Sequence, residues 1–256
     1  MQVVCVGMPL LNIDAVNEFL DGRNYDEWHP TIDESTAMYE AAGRVCYMSF
    51  PPKKGRDSEE YIKNLLQSGH GSVFEHGAWS FIISGISRAL SHELVRHRVG
   101  VGISQLSTRY VDAKEMRTVV PPDYEGTELE GEFLALAEQT KVWYNSLVQK
   151  GEKLLKKRDG ESKQDFRKRV RQAARYILPH GIETIIFWSC NTRELRHIFT
   201  MRGSRHADIE IRRLANALFE IVASASPLAV YGLATEVLPD GTFEIKENFQ
   251  NADNME

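Results

Sequence analysis

Apolar residues recur along the chain at two spacings, one helical and one of continuous β-branched runs. Met38, Ala41, Ala42 and Val45 follow the helical period and predict a helix over about 33–48. A second helix is expected over about 59–68, capped by Asp57 or Ser58, with Leu65 and Leu66 inward. Between them Pro51-Pro52-Lys53-Lys54-Gly55 reads as a loop. Val3, Val4 and Val6 form a short opening strand ended by Gly7 and Pro9. Residues 79–86 and 182–189 are rich in β-branched and aromatic side chains and predict two strong strands.

A helix should follow the first strand over about 87–98, with Arg88, His92 and Arg96 at four-residue steps, Glu93 beside them, and Leu90 and Leu94 opposite. It would deliver Arg96-His97-Arg98 at its C-terminal end, where the helix dipole favours cations. Residues 119–122 are extended, into a proline turn. Leu129, Phe133, Leu136, Trp143, Leu147 and Leu154 mark a long helix over about 127–158, with Gly151 a candidate break. Further helices are expected over about 162–178, stopped by Pro179, then over 192–201, capped by Asn191 or Thr192, and over about 205–224. The residues after Pro239 are polar and acidic, so 240–256 reads as a flexible tail. Strands interspersed with long helices imply an α+β fold, and the length of 256 residues is that of one large domain.

A formal net charge of −5 argues against a general nucleic-acid or membrane-surface binder. Any anion site must then be local, which favours a small phosphorylated ligand over a polymer. Cys5, Cys46 and Cys190 are scattered, which points away from a disulfide framework or structural zinc and toward a reducing cytoplasm. The first eleven residues lack the basic flank and cleavage site of a signal peptide, and no apolar run approaches the ~20 residues of a membrane span. The expectation is a soluble, cytoplasmic protein.

Against this acidic background Arg96-His97-Arg98 is followed by Val99-Gly100-Val101-Gly102 and then by Ser104, Gln105, Ser107, Thr108, Arg109 and Tyr110. Guanidinium groups suit phosphate and carboxylate bidentately, and the hydroxyls and amide can read a polar heterocycle. The segment His70-Gly71-Ser72-Val73-Phe74-Glu75-His76, read as a loop, offers imidazole, hydroxyl and carboxylate. Neither its histidines nor His92, Glu93 and His97 have zinc-helix spacing, so no metal site is expected. Arg202, Arg205 and His206 sit at the junction before the last helix, near an N-terminus where anions are favoured. The basic stretches 153–158 and 167–175 read as solvated helix faces, with a non-catalytic RNA-binding protein as the alternative.

Three blocks in fixed order resemble the flavin-dependent thymidylate synthases. Arg96-His97-Arg98 with Ser107-Thr108-Arg109-Tyr110 is similar to the family signature, and Gly69 through His76 to its upstream loop. Ala174-Arg175-Tyr176-Ile177-Leu178-Pro179 and Trp188, Asn191-Thr192-Arg193, Arg202 and His206-Ala207 resemble its C-terminal blocks. The spacer over residues 99–106 is one residue longer than the family's usual one.

The resemblance implies a central antiparallel sheet flanked by long helices and a homotetramer with active sites between subunits. It implies methylation of dUMP to dTMP with FAD bound, 5,10-methylenetetrahydrofolate as carbon donor and NADPH as reductant. Carried over, His70, Ser72, Arg96, His97, Arg98, Gln105, Asn191, Arg193 and His197 would hold the flavin. Arg88, Glu93, Arg96, Gln105, Leu106, Ser107, Thr108, Arg109, Arg175 and Arg202 would meet the nucleotide. Arg202 would stabilise an ionised uracil ring, with Ser107 positioning it. No cysteine is expected beside these blocks, so no cysteine nucleophile is either. A related flavoenzyme adding another one-carbon group to a pyrimidine nucleotide is the alternative within the same chemistry.

Overall fold

The computed structural model describes residues 1–51 and 56–249, so residues 52–55 of the expected loop and 250–256 of the expected tail lie outside the described residues. Six strands and eight α-helices are found among the described residues: β1 (Gln2–Gly7), α1 (Ile13–Asp21), α2 (Glu34–Tyr47), α3 (Ser58–Gln67), β2 (Ala78–Ser87), α4 (Arg88–Leu94), β3 (Val101–Gln105), α5 (Glu128–Leu154), α6 (Lys163–Ala174), β4 (Glu183–Asn191), α7 (Thr192–Arg202), α8 (Ile209–Ala225), β5 (Leu233–Val237) and β6 (Phe243–Glu247). The first four strands form one sheet in the order β1-β2-β4-β3, and β5 pairs with β6.

The central sheet is antiparallel, as its crossing bonds require. Thr192 N–H bonds Gly77 O while Arg88 N–H bonds Ile182 O, so β2 and β4 run oppositely. Asn191 N–H to Gly100 O and Leu106 N–H to Ile185 O set the same sense for β3 and β4. Strand β4 buries Thr184, Ile186, Trp188 and Cys190 on one face and turns Ile185 and Phe187 outward, the period of two that a half-covered sheet demands.

The chain divides into two compact units. The first comprises Met1–Gln2, Ile83–Arg96 and Ile103–Phe187, and the second Val3–Ile82, His97–Gly102 and Trp188–Glu256. Within the first, Ala113, Tyr144, Ala174 and Ile182 form a small core. Within the second, Trp28 meets Phe50 edge-on at 5.6 Å amid Leu20, Ala37 and Ala41, and Phe81 packs on Trp188 at 6.0 Å. Each buried large apolar side chain contributes about 1.5–3 kcal/mol of transfer energy.

Several expectations are corrected. Helix α4, capped by Ser87 Oγ on Leu90 N, stops at Leu94 rather than about 98, so Arg96-His97-Arg98 lies in the turn beyond it. Gly100, at φ +65°, then turns the chain into β3, whose Gly102, Ser104 and Gln105 hide it from hydropathy. Helix α5 ends at Leu154, short of the Lys156-Lys157-Arg158 run, and continues through Gly151, where Val170 of α6 occupies the space a side chain would need. Helix α6 tightens into a 3-10 turn at Arg175–Ile177. Helix α8 begins at Ile209, so Arg205 and His206 precede it in a turn, and Arg202 ends α7. Residues Gly71–Glu75 form a 3-10 helix in place of an open loop.

The C-terminus carries a hairpin the hydropathy pattern did not predict: residues 240–249 of the expected tail include its turn and its second strand, with Leu233 opposite Glu247 and Val237 opposite Phe243. Asp240-Gly241, with Gly241 at φ +78°, is the turn signal that charge composition obscured. Ile245 is buried and its N–H bonds Gly203 O at 3.0 Å, directly after α7.

Candidate active site

The sequence-assigned residues sort into two clusters, one in each unit. The first unit carries Arg88, Glu93, Arg96, Gln105, Leu106, Ser107, Thr108, Arg109 and Arg175, and the second His70, Ser72, His97, Arg98, Asn191, Arg193, His197 and Arg202. The division nearly follows the one expected between nucleotide and flavin. Arg96, Gln105 and Arg202 are the crossings: Arg96 and Gln105, assigned to both groups, lie in the first unit, and Arg202, assigned to the nucleotide, lies with the flavin residues.

In the second unit the sites hang on α7. Asn191 caps it, Oδ1 accepting Glu194 N–H at 2.9 Å, while Thr192, Leu195, Ile198 and Phe199 bury one face. The other face borders a cavity of about 510 Å³ lined by Val99, Asn191, Arg193, Glu194, His197 and Thr200, among others. A neighbouring cavity of about 370 Å³ shares Gly71 and Arg193 with it and adds Tyr47, His70 and Ser72. Arg193 bonds Glu75, and its guanidinium passes over Gly71 where a Cβ would touch Nε at 3.4 Å. Arg98 is exposed. At Gly100 any side chain would overlap the Asn191 amide, which explains glycine after the triplet.

His97 is only 6 % exposed. Its Nδ1 is 3.0 Å from Glu194 Oε1, and Arg202 Nε donates to its Nε2 at 2.9 Å. His197 lies edge-on at 5.8 Å. Burial pushes the His97 imidazole below its ordinary value, and the Arg202 charge adds to this while the Glu194 bond opposes it. The donor atoms of His97, Glu194 and His197 lie within 4.8 Å of one another, a spacing compatible with a cation. Both His97 nitrogens already have protein partners, so the cluster reads as a hydrogen-bond chain. Glu194 was absent from the sequence-assigned set; its place three residues after Asn191 signals only a cap.

In the first unit Arg88, Thr108, Arg175 and His180 line a cavity of about 470 Å³, with His92 stacked on His180 at 5.2 Å. Arg88 Nη1 is buried with no hydrogen-bond partner, and Arg175 Nη1 reaches only Thr108 Oγ1, at 3.4 Å. Burial, then the charge of Arg175, lowers the Arg88 guanidinium from its ordinary value. Two like charges facing one cavity, one with an unsatisfied nitrogen, suit an anion that supplies the missing acceptors.

Gln105 Nε2 donates to Ser91 Oγ and Thr184 Oγ1, both at 3.1 Å, leaving its carbonyl oxygen for a ligand. Ser107 Oγ accepts Arg109 N–H at 3.3 Å. Leu106 acts through its backbone, extending the β3 pairing. Arg109 Nε is buried without a partner and faces a second basic cavity, of about 390 Å³, with Tyr110, Lys163, Arg167 and Lys168. Arg96 is exposed and Glu93 half-buried. Of the basic run at 167–175, Arg169 pairs with Glu161 and Arg171 with Asp112, as solvated helix faces do.

The cysteines require one correction. Cys190 is fully buried, and burial pushes its thiol far up, so it is no nucleophile. Cys46, however, is exposed and borders the cavity of His70 and Ser72, where no cysteine was expected. It comes from α2, remote in sequence from every motif.

Residues 30–228 match the protein family described as thymidylate synthase complementing protein. A flavin-dependent thymidylate synthase of Mycobacterium sp. (strain JLS) is 41% identical over 220 residues, covering 84% of this chain and 86% of that protein. The enzyme of the same name from Mycobacterium leprae (strain Br4923) is 40% identical over 233 residues, covering 89% and 91%. The crystal structure of flavin-dependent thymidylate synthase ThyX from Helicobacter pylori, complexed with FAD and dUMP, resembles this chain with a TM-score of 0.57 at 24% identity, over 86% of this chain and 93% of that one, which shows a shared fold. Among the described residues no helix is long and apolar enough to cross a membrane.

Proposed function

The chain belongs to the flavin-dependent thymidylate synthase family, and from that premise we propose that it converts dUMP to dTMP with FAD bound, taking the carbon from 5,10-methylenetetrahydrofolate and the reducing equivalents from NADPH. Membership of an enzyme family sets aside the RNA-binding alternative. The observation that carries the substrate assignment is the Arg88–Arg175 pair, whose orphaned buried nitrogen calls for an anion such as the nucleotide phosphate. Thr108 and Arg109 would add donors, and Gln105 Oε1 and Ser107 would read the base.

The second unit suits a flavin in the chemistry of its donors. Two adjoining cavities share Arg193, a cation for a diphosphate, and present His70, Ser72, Asn191 and His197 as hydrogen-bonding groups. Arg96, His97 and Arg98 complete the set assigned to it. When bound, FAD supplies hydride transfer. The chain's own residues bind and orient. Arg202 would stabilise negative charge on the uracil imide, raising electron density at the pyrimidine carbon that accepts the methylene unit. No step requires a protein thiol: Cys190 is buried, and Cys46 has no base in bonding distance among its described partners.

We place the enzyme in the cytoplasm as a homotetramer. Support for assembly comes from α5, where Leu136, Trp143, Leu147 and Leu154 lie exposed at spacings that recur along one side of a helix. The experiment is direct. Purified protein should be yellow and should oxidise NADPH in a dUMP-dependent way, yielding dTMP when methylenetetrahydrofolate is present. A product formed from dCMP instead would favour the alternative pyrimidine one-carbon transferase. Arg202→Ala should keep its flavin absorbance and lose at least about 100-fold in kcat, the scale of a lost charge-stabilising donor; undiminished turnover would refute the role.

A further inference from the structure

We propose that Glu194 is a positioning residue for this reaction, holding His97 as the Nδ1–H tautomer so that its Nε2 lone pair receives Arg202 Nε–H and sets the plane of that guanidinium. This rests on the reading that Arg202 addresses the uracil ring. The tautomer follows from donor and acceptor bookkeeping. An arginine Nε–H can only donate and is never deprotonated in practice. The 2.9 Å contact to His97 Nε2 therefore demands a lone pair on that nitrogen. The single ring proton of neutral His97 must then sit on Nδ1, 3.0 Å from Glu194 Oε1, which accepts it. Protonating His97 would set two donors face to face at Arg202. The other groups facing the ring are the Glu194 carboxylate, the Arg202 guanidinium and the His197 imidazole, and the two basic ones disfavour a second proton.

The geometry of α7 leaves Glu194 available for this task. A glutamate three residues after an N-cap ordinarily turns back to the cap's own N–H. Here Asn191 N–H is already bonded to Gly100 O at 3.0 Å, within the β3–β4 ladder. The Asn191 side chain still caps the helix through Glu194 N–H, and the carboxylate reaches out to His97 instead. The chain thus links the first turn of α7 to its last residue, Arg202, through a histidine from the turn before β3. Glu194 is 13 % exposed in its side chain and His97 5 %, so water competes little for either bond.

The test compares Glu194→Ala and Glu194→Gln in the full-length flavoprotein. The expected result is a loss of about 10–100-fold in kcat for Glu194→Ala, the cost typical of removing an orienting partner, with flavin content and the KM for dUMP little changed. Glutamine retains a carbonyl oxygen for Nδ1–H and should recover most of the rate. Independently of turnover, ¹⁵N-histidine spectra of the wild type, assigned with His97→Gln, should show His97 protonated at Nδ1 only near neutral pH. An Nε2–H or doubly protonated His97, or a Glu194→Ala enzyme with wild-type kcat, would overturn the proposal. Absence of dUMP-dependent turnover in the wild type would instead strike at the functional reading, and the tautomer measurement would still decide the present one.

Discussion

At Arg88 two demands conflict, and the conflict is the ground for the proposed anion site. A half-buried guanidinium with an orphaned nitrogen, beside a second arginine, is unfavourable for folding alone. Arg88→Met should therefore leave stability unchanged or raise it slightly in urea unfolding, while the KM for dUMP rises about tenfold or more, the scale of one charge-assisted contact. A variant that unfolds more easily and binds dUMP normally would make Arg88 structural. Gly100 shows the opposite balance. Its φ of +65° and the Asn191 amide against it exclude a side chain, so Gly100→Ala should cost at least about 1–2 kcal/mol in thermal unfolding. Asn191 would be displaced, and flavin retention should fall with it.

Among the elements, the β5–β6 hairpin is fastened to the turn after Arg202. Arg212, 3 % exposed, donates to Thr242 Oγ1, to the carbonyls of Arg205 and Ala207, and to Asp240, so one side chain of α8 ties the hairpin to the turn after Arg202. Arg212→Ala leaves those carbonyls without this donor, while Asp240 keeps its Thr242 bonds, and should cost about 1–3 kcal/mol, read as a lower midpoint in denaturant. Glu244 is held by Arg205 and Lys246, which bring its carboxyl down to about 2. Because the folded value lies below the ordinary glutamate value of about 4.3, this stabilisation is complete above that pH and is lost as pH falls from there toward the folded value. Hydrogen exchange at β6 amides should accelerate across that window; constant protection down to its lower end would contradict the ion-pair account.

For the whole molecule, the apolar row on α5 stands exposed among the described residues, Trp143 being 57 % exposed and Leu136 64 %. If the proposed homotetramer forms through this row, Trp143→Glu should shift the protein to smaller species in light scattering while each chain stays folded by circular dichroism; an unchanged mass would remove this helix from the proposed interface. Much of this architecture was legible in the residues. The strong strands β2 and β4, the helices α2, α3 and α6, and the Asn191 cap follow from local chemistry: β-branched runs, helical spacing and side-chain oxygens that bond nearby N–H groups. The motif residues likewise carried the resemblance to the flavin-dependent thymidylate synthases, the family to which the chain belongs. Strand β3 and the β5–β6 hairpin were not legible, because glycine-rich and charged segments become strands only when a neighbouring strand supplies the hydrogen bonds. Local sequence determined which residues carry cations, hydroxyls and caps. Only the tertiary structure decided that Asn191 gives its N–H to Gly100, that Glu194 is thereby turned to His97, and that Arg88 is left with an unsatisfied nitrogen, since each depends on groups brought together from distant parts of the chain.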